Sequence, residues 1–219
     1  MNDPSDPARR KDQRRIVVHP LVVRLTHWVN AFAMLCMVTS GWGIYNASPL
    51  FGFRFPHWMT LGGWLGGAIA WHLAVMWLLV GNALVYLAYG IAGRHFRRRL
   101  LPLRAAAIRA DAWDALRFRL RHRPGVYNAV QRLLYVVVLA LGVAAVASGL
   151  ALWKPVQLHP LTALLGGYEL CRRLHFLAMG GIVAFTIIHL LLVVLVPRSL
   201  PPMITGRIAG RTALTEVEP

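Results

Sequence analysis

The sequence predicts an all-α integral membrane protein built as a four-helix bundle. Of its 219 residues 57% are apolar and only 15% charged, where a soluble domain averages about 45–50% and about 25%. Four apolar stretches lack charge over the roughly 20 residues that a helix needs to cross hydrocarbon. The 24 Lys and Arg against 8 Asp and Glu give a net charge of +16, which on a soluble protein would point to nucleic acid. Here the charges gather at the ends of the apolar stretches, so the partner is membrane lipid and not nucleic acid. The length suits one domain. Two cysteines, Cys36 and Cys171, are too few for a disulfide framework or a zinc ribbon, and no glycine-rich phosphate loop follows a predicted strand.

Residues 1–24 form a polar segment with Arg9, Arg10, Lys11, Arg14 and Arg15 ahead of the first span, about Leu25 to Tyr45. No small-residue cleavage site follows that span, so it reads as a retained anchor. The second span, Leu61 to Ile91, exceeds what a bilayer needs and should tilt. The segment 92–125 holds ten arginines, including Arg97, Arg98 and Arg99. Within it, Ala105 to Leu120 mixes basic and apolar residues at helical spacing and suits a helix lying on an anionic leaflet. The third and fourth spans run from about Leu133 to Trp153 and Leu174 to Val196, and the tail is 197–219. The domain is thus 25–196, between two terminal segments.

With the chain threaded this way, 20 basic residues share one side and only Arg54, Lys154, Arg172 and Arg173 the other. Excess Lys and Arg mark cytoplasmic segments, which places both termini and the arginine-rich loop inside. Tyr45, Phe51, Phe53, Phe55, Trp58 and Trp64 surround the first outer loop and Trp153 begins the second, the pattern of an aromatic belt at headgroup level. No internal repeat is visible.

An ionisable side chain at membrane depth is costly without a partner, and the spans hold four: His27, His72, His175 and His189. His175 and His189 are 14 residues apart, which brings them within about 40° of one helix face and about 21 Å apart in depth. His72 lies 22 residues before Arg94, and His175 lies 22 before Pro197, so these two are level near the outer side. His189, 8 before Pro197, is level with His27, 7 after Pro20, near the inner side. Zinc would want a tetrahedral set with thiolate or carboxylate. A low-spin haem wants one neutral imidazole on each face, from opposing helices. Two bis-histidine haem b groups stacked across the bilayer fit best, with His72 and His175 axial to the outer iron and His27 and His189 to the inner. Gly41, 14 residues beyond His27 on the same face, leaves room for close approach at the outer level, and Gly142 and Gly149 line the haems or pack helices. His19, His57, His95, His122 and His159 read as solvated loop residues. Arg24, Arg132 and Arg173 stand at span ends where propionates emerge.

The sequence around these histidines, Arg24-Leu25-Thr26-His27-Trp28, Ala70-Trp71-His72-Leu73 and the His175/His189 pair, resembles the bacterial cytochrome b561 and nickel–iron hydrogenase cytochrome b superfamily over about Val18 to Arg198. That superfamily includes the membrane subunits of formate dehydrogenase and thiosulfate reductase. The resemblance implies the same ligand pairing, an inner-membrane location, and electron transfer between the quinone pool and a periplasmic hydrogenase, molybdopterin enzyme or cytochrome. Such a chain is an electron-transfer subunit of a respiratory complex, not a self-contained enzyme. Small members that pass electrons from superoxide to quinone are the alternative reading, but the outer face has few basic residues to steer an anion and many aromatic anchors for a docked protein. A histidine proton relay is weaker still, because the spans contain no Asp or Glu. By the same resemblance quinone approaches the inner haem, where the second span supplies Asn82, Tyr86 and Tyr89 as hydrogen-bonding groups. Tyr86, 14 residues after His72, is the best single candidate for a quinone contact, with Asn82 beside it.

Overall fold

The computed structural model describes residues 16–92, 113 and 129–208. The basic run Arg97–Arg99, the surface helix expected over 105–120 apart from Trp113, and the terminal arms therefore lie outside the described residues. A short strand β1 (Ile16–Val17) leads into α1 (Leu21–Ala47), a loop with one 3-10 turn at His57–Met59, and α2 (Leu65–Ala92). Then follow α3 (Ala129–Trp153), a short α4 (His159–Leu164), α5 (Tyr168–Leu195), a 3-10 turn at Pro197–Ser199, α6 (Leu200–Thr205) and β2 (Arg207–Ile208). Four of these helices, with spans Leu21–Ala47, Leu65–Ala92, Leu133–Trp153 and Tyr168–Leu195, are long and apolar enough to cross a membrane.

The expected starts of the second and fourth spans shift for a local reason. Gly62 and Gly63 have φ of 108° and 72°, a backbone that only glycine adopts freely. Helix α2 consequently begins at Leu65, not Leu61. Gly166 and Gly167, at φ 86° and 94°, separate α4 from α5, and α5 starts at Tyr168, six residues before the apolar run. The helix thereby carries Cys171, Arg172 and Arg173 out of the apolar zone.

The spans pack as two hairpins, α1 against α2 and α3 against α5. Small residues line the close approaches, as expected where lipid removes the hydrophobic incentive for helices to associate. Ala33, Cys36 and Val75 are buried between α1 and α2 with Met37, Leu61 and Leu79 around them. A Cβ on Gly43 would touch that of Ala68 at 3.0 Å, and one on Gly181 would meet the Leu141 side chain at 2.8 Å. Ser148, Ala151, Cys171 and Ala178 are buried on the second hairpin. Outward-facing residues such as Leu84, Val143, Leu177 and Ile187 are exposed, as lipid-facing side chains should be.

The hairpins are joined at their two ends. At the loop end, where α1 leads to α2 and α3 to α5, the Arg172 guanidinium bonds the Ser48 carbonyl at 2.6 Å and hydroxyl at 3.0 Å, and pairs with Glu169 at 3.1 Å. Phe176 of α5 stacks beside Tyr45 at 4.9 Å and Phe51 at 5.4 Å, and Phe53 and Phe55 complete the ring cluster. Part of the expected aromatic belt is thus an internal clasp, while Trp58 and Trp64 stay exposed. At the terminal end, β1 pairs antiparallel with β2 (Ile16 opposite Ile208, Val17 opposite Arg207). There Arg24 Nη1 donates to the Ile204 carbonyl at 2.8 Å and Trp28 Nε1 to that of Met203 at 3.4 Å.

Candidate metal centres

The four intramembrane histidines meet as two pairs, one on each level. His72 of α2 and His175 of α5 have ring centroids 6.2 Å apart with planes at 70°. His27 of α1 and His189 of α5 are 6.1 Å apart at 66°. Neither pair is within hydrogen-bonding distance of itself, so each leaves a gap between the rings. A metal–imidazole bond of about 2.0–2.1 Å plus a ring radius of about 1.1 Å, set by ring bonds of about 1.33 Å, places the centroids of two imidazoles across one metal ion about 6.2–6.4 Å apart. Both pairs fit two axial imidazoles on one iron. Among the described residues no group of three or more His, Cys, Asp and Glu gathers at a metal-binding distance, so the donor set suits two-coordinate axial ligation and not a tetrahedral ion.

The pair at the loop end has supports that the sequence did not disclose. Ser40 Oγ lies 3.0 Å from His72 Nδ1, and the Met37 carbonyl also hydrogen-bonds His72. On the other hairpin, Ser148 Oγ lies 3.2 Å from His175 Nδ1, and the Ala145 carbonyl accepts from the same nitrogen at 2.9 Å. Both serines are essentially fully buried. Beside each stands a glycine against the ligand ring. A Cβ on Gly41 would lie 3.5 Å from His72 Cε1, and one on Gly149 only 3.0 Å from His175 Cε1. Gly41 and Gly149 therefore admit the histidine rings themselves, while a Cβ on Gly142 would meet nothing within 4 Å. The signal in the sequence was the repeated Ser-Gly dipeptide, which reads as ordinary small-residue packing until the facing helix is known.

At the terminal end His27 sits edge-on to Trp28 at 5.4 Å, and Phe185 stacks beside His189 at 6.3 Å. Asn82 Nδ2 donates to the Thr26 carbonyl at 2.9 Å, tying α2 to α1 next to His27. Tyr86 and Tyr89 follow on α2, both half-buried. Arg24 is held by the Ile204 carbonyl. The Arg132 side chain lies outside the described residues. Cys36 and Cys171 are buried free thiols.

A polytopic helical chain with two histidine pairs at axial spacing defines a b-type membrane cytochrome. The prokaryotic cytochrome b561 family model matches residues 18–206, and the chain belongs to that family: it is a multi-pass membrane haem electron-transfer subunit. A putative protein-methionine-sulfoxide reductase subunit, YedZ1 of Azospira oryzae, is 48% identical over 190 residues, 86% of this chain and 96% of that protein.

The two ring-facing glycines are not equivalent, and alanine at each separates them. Gly41→Ala makes an ordinary van der Waals contact and should bind haem as the wild type does. Gly149→Ala forces the His175 ring to yield by a few tenths of an ångström, an overpacking of about 1–3 kcal/mol. Its haem-to-protein ratio or Soret spectrum should change in purified protein, and equal behaviour of the two variants would contradict this geometry.

Proposed function

We propose that this protein holds two haem b groups, the outer between His72 and His175 and the inner between His27 and His189. It carries electrons across the bacterial inner membrane between the quinone pool and a periplasmic oxidoreductase subunit. The observation that carries this reading is the pair of centroid separations, 6.2 and 6.1 Å, at two depths. The cofactors supply one-electron redox chemistry. The chain supplies neutral imidazoles, which need no buried counter-charge, and a bundle clasped at both ends that holds them at fixed separation.

Both termini and the arginine-rich loop face the cytoplasm in this reading, so the loop end is periplasmic. That end offers Arg54, Lys154, Arg172 and Arg173, and Arg172 is engaged with Glu169 and Ser48. No basic funnel for superoxide is built there. The exposed Trp58, Trp64, Val156 and Leu164 suit a docked protein instead. In keeping with the name of its Azospira relative, the partner is a reductase of methionine-sulfoxide type, so electrons run outward from quinol. Quinol oxidation releases protons and needs hydrogen-bonding groups at the inner level. Tyr86 is the residue for that contact, because the Asn82 amide already serves the tie to Thr26.

Three measurements test the reading. Pyridine haemochrome titration should give two haems per wild-type chain and about one in His175→Ala, because a haem face without its ligand loosens. One haem in the wild type, or two low-spin spectra retained in His175→Ala, would end the assignment. Alkaline phosphatase fused after Pro49 or Leu158 should be active and after Thr212 inactive; the reverse pattern would invert both sites. Tyr86→Phe should slow quinol oxidation with both haem spectra intact, and wild-type kinetics in that variant would move the quinone contact elsewhere.

A further inference from the structure

The two hairpins present the same five-residue device to the loop-end pair. In α1 it is Met37, Ser40 and Gly41 facing His72, and in α3 it is Ala145, Ser148 and Gly149 facing His175. In each, a carbonyl three residues before the serine accepts from the histidine ring. A carbonyl only accepts, so the ring nitrogen bonded to it carries the proton. For His175 that nitrogen is Nδ1. Each serine hydroxyl spends its own proton on the carbonyl four residues back, Ser40 on Cys36 at 2.6 Å and Ser148 on Ala144. Its lone pairs then face Nδ1–H as a second acceptor. The glycine is needed because the ring must reach the carbonyl beneath position 41 or 149, where any Cβ would stand against it.

The terminal-end pair has none of this. Among the described residues nothing hydrogen-bonds a ring nitrogen of His27 or His189, and His189 is exposed where His72 and His175 are half-buried. One pair is locked in tautomer and orientation, and the other is not.

We propose that Ser40 and Ser148 are positioning residues that fix the Nδ1–H tautomer of His72 and His175 and lower the potential of the haem between them, leaving the other haem untuned. The lone pair that remains on each ring is that of Nε2, ready for iron. A second acceptor on Nδ1–H pushes electron density into the imidazole and makes it a stronger donor, which favours the ferric state. The serines act through the histidines and touch nothing else in the reaction.

The inference rests on the ligand assignment above, and its test separates the two. Potentiometric titration and low-spin ferric EPR are followed on full-length protein in mild detergent, with haem counted for each variant. Ser40→Ala and Ser148→Ala should each raise the midpoint potential of one haem and leave the other in place. The double variant should raise the same one further. The haem that moves should be the one missing from His72→Ala and present in His27→Ala. Ser40→Thr and Ser148→Thr keep the hydroxyl and its bond to the preceding turn, and should return the wild-type potential. Variants that bind two haems with both potentials unchanged would overturn the proposal, as would a shift in both haems alike. Should a Ser→Ala variant shed its haem, its Ser→Thr partner decides: retained haem at the wild-type potential supports the hydroxyl's role, and loss there too assigns the serine to packing alone. A His72→Ala protein that keeps two haems would remove the ligand assignment, and the tuning with it.

Discussion

An imidazole at membrane depth has no water to satisfy its N–H, so its proton must find an acceptor in the protein. Much of the bundle follows from that requirement at His72 and His175. Each ring takes a carbonyl and a hydroxyl from the helix beside it, and a ring can reach a helix's backbone only where the intervening side chain is hydrogen. The Ser-Gly pairs in α1 and α3 meet that condition and set how closely α2 lies on α1 and α5 on α3. Small residues elsewhere on these faces, Ala33, Ala68, Ala151 and Ala178, continue the close approach along each hairpin.

The consequence is a bundle assembled from two tight pairs instead of four equivalent helices. Within a hairpin the backbones are close. Between hairpins the histidine rings stand at 6.1 and 6.2 Å, too far for contact and right for a shared metal ion. Such an arrangement would collapse or splay without fasteners at its ends. The Arg172–Ser48 bonds and the Phe176 ring cluster supply one fastener. The β1–β2 pairing and the bond from Arg24 to Ile204 supply the other. The chain thereby holds the spacing from its ends and leaves the middle of the seam to the ligands.

The spans and the pairing of the histidines were legible in the sequence because both depend on the helical rise and on the cost of charge in hydrocarbon. Residue counting from the ends of the helices is enough to level His72 with His175 and His27 with His189. The serines were not legible. A buried serine in a helix reads as one bonded to its own preceding turn, which Ser40 and Ser148 also are, and only the facing helix reveals the second bond. Gly41 could be placed at the correct depth, but the object it admits, the ring of His72, belongs to another helix. The aromatic clasp was hidden for the same reason: Phe176 lies 121 residues beyond Phe55 in the chain, and a belt residue and a clasp residue look alike until the ends meet. Helix α6 and the two strands carry no periodicity long enough to detect.

The recurrence of Met-x-x-Ser-Gly in α1 and Ala-x-x-Ser-Gly in α3 also gives the hairpins a common register, and that register bears on the terminal end. His27 lies 13 residues before Ser40, and the residue 13 before Ser148 is Tyr135; His189 lies 14 after His175, and the residue 14 after His72 is Tyr86. The two hairpins are therefore equivalent at the upper level, where each gives one histidine from its second helix. At the lower level they diverge: α1 and α5 carry imidazoles where α3 and α2 carry phenols. A phenol is a poor haem ligand beside imidazole but a good hydrogen-bond donor and acceptor to a carbonyl or hydroxyl. One side of the lower level is thus chemically suited to iron, and the other to a group that exchanges protons along with electrons, which is what a quinone requires. The same symmetry that places the upper pair between matched hairpins accounts for why the lower pair must come from unlike helices, and for why Tyr86 stands at the depth of His189 without being a third ligand.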